Sequence, residues 1–231
     1  MTTISRETSR RNSADPAEWD WFIGQVRPAV ENFPVPSVTE AAGQWRDPFK
    51  ILIATLISLR TRDEVTAAAA HRLFAVAATP EAIIALGEAA VSKLILPANY
   101  HVTKASKIVR ISEIIRDDFG GRVPDDLEVL KSLPGVGPKT ANLVLSEGFD
   151  IDAICVDTHV HRIPNRFGLI ATRNPVETEK VLREKLPVRY WKDINRLLVP
   201  FGQIICTPVS PRCSICPISE RCARLFDGKS R

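Results

Sequence analysis

Apolar residues recur along this chain at helical rather than strand spacing. Asp47 and Pro48 supply the side-chain cap and fixed φ that open a helix, and Phe49, Leu52, Ile53, Leu56 and Ile57 follow on one face. Thr61 stands where it can cap the next helix, whose small-residue run at 67–70 allows close packing. Thr79-Pro80-Glu81 opens another, and Ile108, Ile111 and Ile115 mark a longer one that Gly120-Gly121 ends. Short helices over 127–132 and 138–147 flank a glycine-rich turn. Asn174-Pro175 starts a further helix, and Trp191, Ile194, Leu198 and Phe201 trace a late apolar stripe. The strand-like run at 153–156 has no partner run of similar character. The pattern predicts an all-α fold of about ten short helices. A boundary is expected near Asp150–Asp152, and the aromatic bulk of Trp19, Trp21 and Phe22 in an N-terminal helix must be buried somewhere.

Composition narrows the class. The chain has 231 residues, of which 45% are hydrophobic and 25% charged, so it buries a real core and is not disordered. No apolar run approaches the ~18 residues a membrane helix needs. Lys+Arg exceed Asp+Glu by 31 − 27 = +4, a mild excess that permits a polyanionic partner without demanding one. Residues 1–15 are polar and are expected to form a mobile arm. Four of the five cysteines, Cys206, Cys213, Cys216 and Cys222, cluster at the end of an otherwise cysteine-poor chain. That crowding points to a metal site in a reducing compartment, hence an intracellular protein, rather than a disulfide framework.

Three stretches could carry chemistry. In Leu133-Pro134-Gly135-Val136-Gly137-Pro138-Lys139-Thr140-Ala141, glycines form a tight hairpin between two helices, and unpaired amides at the second helix's start suit a phosphate. A nucleotide P-loop is excluded, because Pro138 and Leu133 occupy its glycine positions and no strand precedes it. A plain helix connector remains possible, but Lys131 and Lys139 without an acid between them favour a cradle for DNA phosphates. The spacing Cys-x6-Cys-x2-Cys-x5-Cys can surround a [4Fe–4S] cluster or tetrahedral zinc. It leans to iron–sulfur because only one Cys-x2-Cys knuckle is present. Arg212, Arg221 and Arg224 interleave with these cysteines, while Cys155 lies outside the row and reads as core. In Val156-Asp157-Thr158-His159, Asp157 reads first as a helix cap. His159 and His161, two residues apart, make a poor metal pair, and no nucleophile elbow accompanies them. His71 and His101 carry no signal.

Taken in order, the lysine-bearing hairpin (133–142), Val-Asp-Thr-His-Val-His-Arg (156–162) and the cysteine row resemble the endonuclease III family of helix-hairpin-helix DNA glycosylases, with the likeness running from about Asp47 to Cys222. The resemblance implies a six-helix barrel domain with the helix-hairpin-helix motif (41–152). It implies a second helical domain (16–40 plus 153–231) carrying a [4Fe–4S] cluster held by the four cysteines. It implies base-excision repair of double-stranded DNA: Lys139 attacks C1′ of an oxidised pyrimidine such as thymine glycol, Asp157 assists, and β-elimination follows at the abasic site. Gly135, Val136, Gly137, Lys131, Arg212 and Arg221 would contact DNA, and the chain would act as a monomer with no membrane partner. A mismatch-adenine relative lacks the hairpin lysine, so Lys139 favours the bifunctional reading. The alternative is a non-catalytic or weakly active DNA-binding protein.

Two positions depart from the family pattern. Arg60 stands where a gap-filling glutamine is usual, and Tyr100 replaces a small apolar wedge. Arg60 could read a purine edge or stack on the orphan base, and Tyr100 could stack between bases; drift on an exposed rim is the other reading.

Overall fold

The structure, a computed structural model, describes residues 15–45 and 47–231, so all of the expected arm except Asp15 lies outside the described residues. Among these residues every regular element is helical, in accord with the all-α pattern. No single helix is long and apolar enough to cross a membrane. The chain divides into two compact units, one taking in Val35–Cys155 and the other the residues up to Pro34 together with Val156–Arg231.

The Val35–Cys155 unit contains α2 (Ser37–Trp45), α3 (Pro48–Ser58), α4 (Asp63–Val76), α5 (Pro80–Leu94), α6 (His101–Phe119), α7 (Leu127–Ser132) and α8 (Pro138–Phe149). The expected division placed residues up to 40 with the other unit. Helix α2 instead packs on α3, α4 and α8, and Trp45 at its end stands edge-on to Phe74 at 4.8 Å between ring centres. Helix α3 is the axis of this unit. Asp47 accepts from the Phe49 amide at 2.9 Å, Pro48 fixes the first turn, and every residue from Phe49 to Ile57 except the half-buried Lys50 is buried. Such all-round burial is reserved for a helix enclosed by its neighbours. Helices α4 and α6 use the small and β-branched stripes read from the sequence: Ala69, Ala70 and Leu73, and Ile108, Ile111 and Ile115, are buried.

The start of α4 differs from expectation. The helix begins at Asp63 behind Arg62, with no side-chain cap, and Thr61 does not cap it. The Thr61 hydroxyl is engaged elsewhere, accepting from the buried Lys104 at 2.8 Å.

The second unit contains α1 (Pro16–Val30), α9 (Thr158–Phe167), α10 (Pro175–Lys185) and α11 (Asp193–Ile204), followed by the cysteine-bearing segment. The run at 153–156 forms no regular element and pairs with no strand among the described residues. The aromatic residues of α1 find their partners within this unit: Trp19 and Phe22 are fully buried, and Phe22 meets Phe167 of α9 at 5.0 Å. Ile194, Leu198 and Phe201 of the late stripe are also fully buried, on α11 against α9 and α1. Gly202 is required by contact rather than by backbone angle, since a Cβ there would collide with the His159 ring and lie 2.9 Å from Arg162 Nη2.

Candidate functional site

In the Val35–Cys155 unit the glycine hairpin forms as its residues dictate. Asp126 caps α7 by accepting from the Glu128 and Val129 amides, both at 2.9 Å. The turn is closed by the Val136 amide on the Leu133 carbonyl at 3.1 Å, with Gly135 at φ +80°, a conformation that costs a side-chain-bearing residue dearly. Pro138 then opens α8 behind Gly137, which lends no side-chain cap, so the first-turn amides of α8 have no cap oxygen from the chain. Lys139 sits in that first turn and is exposed. Val136 is a poorer anion contact than the sequence suggested, because its side chain is buried and its amide is committed to the turn. Lys131 is also partly neutralised: its ammonium holds both oxygens of Glu128 at 2.8 and 2.9 Å. That acid lies one helical turn before the acid-free stretch read from the sequence. Lys107, which the sequence reading missed, reaches the hairpin instead, and a Cβ at Gly135 would come 2.8 Å from its side chain.

The same unit brings Arg60 and Tyr100 together, about forty residues apart in sequence. The Arg60 guanidinium carbon lies 6.0 Å from the centre of the Tyr100 ring, and both residues adopt left-handed backbone angles, φ +55° and +57°. Such angles are unfavourable for residues of this kind by about 1 kcal/mol or more each, so the surroundings must hold them. Asn99 donates to the Arg60 carbonyl at 2.5 Å. Lys104, buried on the inward face of α6, donates to the Ile57 and Leu59 carbonyls at 2.6 and 2.7 Å, capping the end of α3 from within. Burial pushes the Lys104 amine down to about 8. Its spacing from Ile108 is one helical turn, which was the available signal that this lysine faces inward.

In the other unit Asp157 is the N-cap of α9. One carboxylate oxygen, Oδ1, accepts from the His159 and Val160 amides, both at 2.9 Å. His159 and His161 have other duties than metal binding. His159 Nδ1 stands 3.0 Å from Arg162 Nη2, and His161 Nδ1 2.7 Å from Thr178 Oγ1, where burial pushes the imidazole down against a smaller opposing effect of Glu177.

Cys206, Cys213, Cys216 and Cys222 line one cavity with Ile163 and Ile218. Among the described residues no three His, Cys, Asp or Glu side chains stand close enough to share a single metal ion. Four thiols lining one cavity can hold a metal centre through thiolate ligands. Burial pushes the Cys216 thiol up to about 11 and raises Cys222 as well, so thiolates there require a cationic centre. Two arginines of α9, given no role in the sequence reading, secure the segment. Arg162 donates to the Gly202 and Cys206 carbonyls at 3.0 and 2.9 Å, and Arg166 to the Thr207 and Pro208 carbonyls, both at 2.7 Å. Arg221 lies over the Trp21 ring at 4.4 Å, and Arg212 is exposed.

Comparison with known proteins agrees with this geometry. Residues 53–188 match the family of HhH-GPD superfamily base excision DNA repair proteins, and residues 206–222 the iron–sulfur binding domain of endonuclease III. The chain is 48% identical over 176 residues to endonuclease III of Thermotoga maritima, covering 76% of this chain and 83% of that protein. It is 38% identical over 241 residues to the chloroplastic endonuclease III homolog 1 of Arabidopsis thaliana, covering 97% of this chain and 64% of the plant protein. A solved non-covalent endonuclease III–DNA complex superposes with a TM-score of 0.81 at 30% identity, covering 90% of this chain and 95% of that one. A trapped covalent endonuclease III–DNA intermediate gives a TM-score of 0.80, also at 30% identity. The chain therefore belongs to the endonuclease III family: it is a DNA-binding, [4Fe–4S]-bearing glycosylase and abasic-site lyase of base-excision repair.

Proposed function

We propose that this chain removes oxidised pyrimidines of the thymine-glycol type from double-stranded DNA, with Lys139 as nucleophile and Asp157 as its partner in proton transfer. The observation that carries the assignment is Lys139 itself, exposed in the first turn of α8 directly behind an uncapped glycine hairpin. A base stacked in a duplex is out of reach, so the nucleotide must be turned out first. The neutral Lys139 amine then forms a bond to C1′ while the glycosidic bond breaks, and the base departs with the electron pair and a proton. Opening of the sugar ring gives a protonated Schiff base. This acidifies the C2′ proton, and its removal expels the 3′ phosphate by β-elimination. Asp157, fixed by two amides on one oxygen, is suited to accept a proton or stabilise positive charge at the sugar.

The hairpin amides of Gly135 and Gly137, together with Lys107 and Arg212, are proposed to bear on phosphates. Lys131, paired with Glu128, and Val136 contribute less. Arg221, lying on Trp21, shapes the cysteine segment and presents charge beside it. Cys206, Cys213, Cys216 and Cys222 are proposed as the cluster ligands, and the cluster supplies structural cross-linking of the segment with no redox step. Thiolates of this kind persist in a reducing compartment, which supports an intracellular site of action, the nucleoid in a bacterium. The chain is proposed to work as a monomer.

The test is borohydride trapping on a duplex with one thymine glycol and, alongside, one with an abasic site. Adducts on both that vanish in Lys139→Ala are expected. Undiminished strand cleavage by that variant would remove Lys139 from the mechanism, and tight binding without any adduct would favour the non-catalytic alternative.

A further inference from the structure

We propose that residues 223–231, which follow the last cysteine, form a latched strap beside the cysteine cavity, and that its latch on the backbone around Cys213 sets how fast a seated cluster is lost. The proposal rests on the reading of the four cysteines as cluster ligands and adds a retention device to that site.

The strap is attached at two places, both in the unit that carries the cysteines. Its first half lies along the end of α9. The Ala223 amide donates to the Phe167 carbonyl at 3.1 Å, and the Leu225 amide to the Arg166 carbonyl at 3.0 Å. Arg224 and Phe226 thereby join the four cysteines in lining the cavity, where the Arg166 guanidinium carbon lies 4.9 Å from the centre of the Phe226 ring. The Arg224 amide also donates to Cys222 Sγ at 3.4 Å.

The second attachment is made by one residue. The Arg231 amide donates to the Pro211 carbonyl at 2.8 Å, its carbonyl accepts from the Ser214 amide at 2.9 Å, and its Nε donates to the Ser210 carbonyl at 3.3 Å. These bonds bracket Cys213 on both sides. Cys206 is held from another direction, by Arg162 on its carbonyl, and Cys222 by the first attachment. Cys213 is thus the ligand whose flanks are tied to the far end of the strap.

Backbone strain marks the same two places. Five non-glycine residues among those described have left-handed angles, and two of them, Ser210 at φ +54° and Arg224 at φ +52°, stand one at each attachment. Such angles persist only where the surroundings over-determine them. Between the attachments residues 227–230 are exposed, and Gly228 turns the chain at φ +108°, an angle that favours glycine. The two ends also differ in strength. Phe226 is half-buried, whereas Arg231 is exposed and its bonds can be exchanged for bonds to water, so the latch opens first. Once the flanks of Cys213 are freed, its sulfur leaves with its electron pair and a water oxygen takes its place, with no change of oxidation state.

The experiment follows the visible iron–sulfur absorption of the full-length holoprotein in excess EDTA without oxygen. Parallel samples contain iodoacetamide, and the alkylated cysteines are mapped by mass spectrometry. A Cβ at Gly228 meets nothing within 4 Å, so Gly228→Val acts through the backbone angle alone. This variant is expected to lose its absorption about tenfold faster than wild type, the worth of one or two hydrogen bonds, with Cys213 alkylated ahead of Cys206 and Cys222. Arg231→Ala, which removes only the Nε bond, should lose it about two- to threefold faster, and Lys229→Ala on the same segment at the wild-type rate. A Gly228→Val rate within about twofold of wild type overturns the proposal. So does alkylation of Cys206 or Cys222 ahead of Cys213. Wild-type protein without the absorption would sink the ligand assignment itself, whereas a coloured protein whose loss rate ignores the latch sinks only the strap.

Discussion

The ammonium of Lys104 lies 2.7 Å from the carbonyl oxygen of Leu59, a residue 45 positions earlier in the chain. Through this bond α6 fixes the end of α3 and the backbone from which Arg60 projects. Folding takes the amine from its ordinary value of 10.5 to about 8 because burial disfavours the charged form. Between those two values the unfolded chain holds more protons than the folded one, so this group makes stability rise with pH. Its unfavourable contribution is complete below about pH 8 and is relieved as pH climbs toward the unfolded value. The unfolding free energy of wild type relative to Lys104→Met should therefore grow across that window in urea titrations. A difference independent of pH would mean that the amine titrates near its ordinary value.

Asp157 has a capping duty that mutation can separate from a chemical one. Asparagine caps a helix about as well as aspartate, whereas alanine costs about 1 kcal/mol. Asp157→Asn is expected to keep the melting temperature while slowing adduct formation by about a hundredfold or more, the range for a lost proton-transfer group. Asp157→Ala should lose both. Wild-type trapping rates in the asparagine variant would reduce Asp157 to its cap.

Phosphate contacts are read from salt dependence. Lys131 is engaged by Glu128, and Arg212 is exposed. Arg212→Ala should lower the slope of log affinity against log salt by about one, and Lys131→Ala by clearly less. Equal changes in slope would show that the Glu128 pair opens when DNA binds.

Arg166 holds the cysteine segment through two backbone carbonyls and lies against the Phe226 ring at 4.9 Å. Arg166→Met leaves those carbonyls without their donor, and a loss of about 2–3 kcal/mol is expected. The visible iron–sulfur absorption should also bleach faster in air than in wild type. Unchanged bleaching would place the anchorage of the segment elsewhere, with the Arg162 bonds to Gly202 and Cys206 as the next test.

Much of this molecule was settled by its sequence alone. Caps at Asp47, Thr79, Asp157 and Asn174 formed where read, because each is a local contest between a short polar side chain and the next few amides. The glycine hairpin and the cysteine row were equally legible, since backbone angles and ligand spacing are fixed within a few residues. What the sequence could not decide were partnerships across distance. Thr61 was read as a cap and proved to be an acceptor for Lys104, and Lys131 was read as free charge and proved to be paired with Glu128. Nor could it show that Arg60 and Tyr100 meet, that Lys107 reaches the hairpin, or that Arg162 and Arg166 grip the cysteine segment. Local chemistry fixes where a helix begins and turns. Which buried charge meets which carbonyl is decided only when packed helices bring residues distant in sequence within hydrogen-bond reach, because a desolvated donor must take whatever acceptor the tertiary fold supplies.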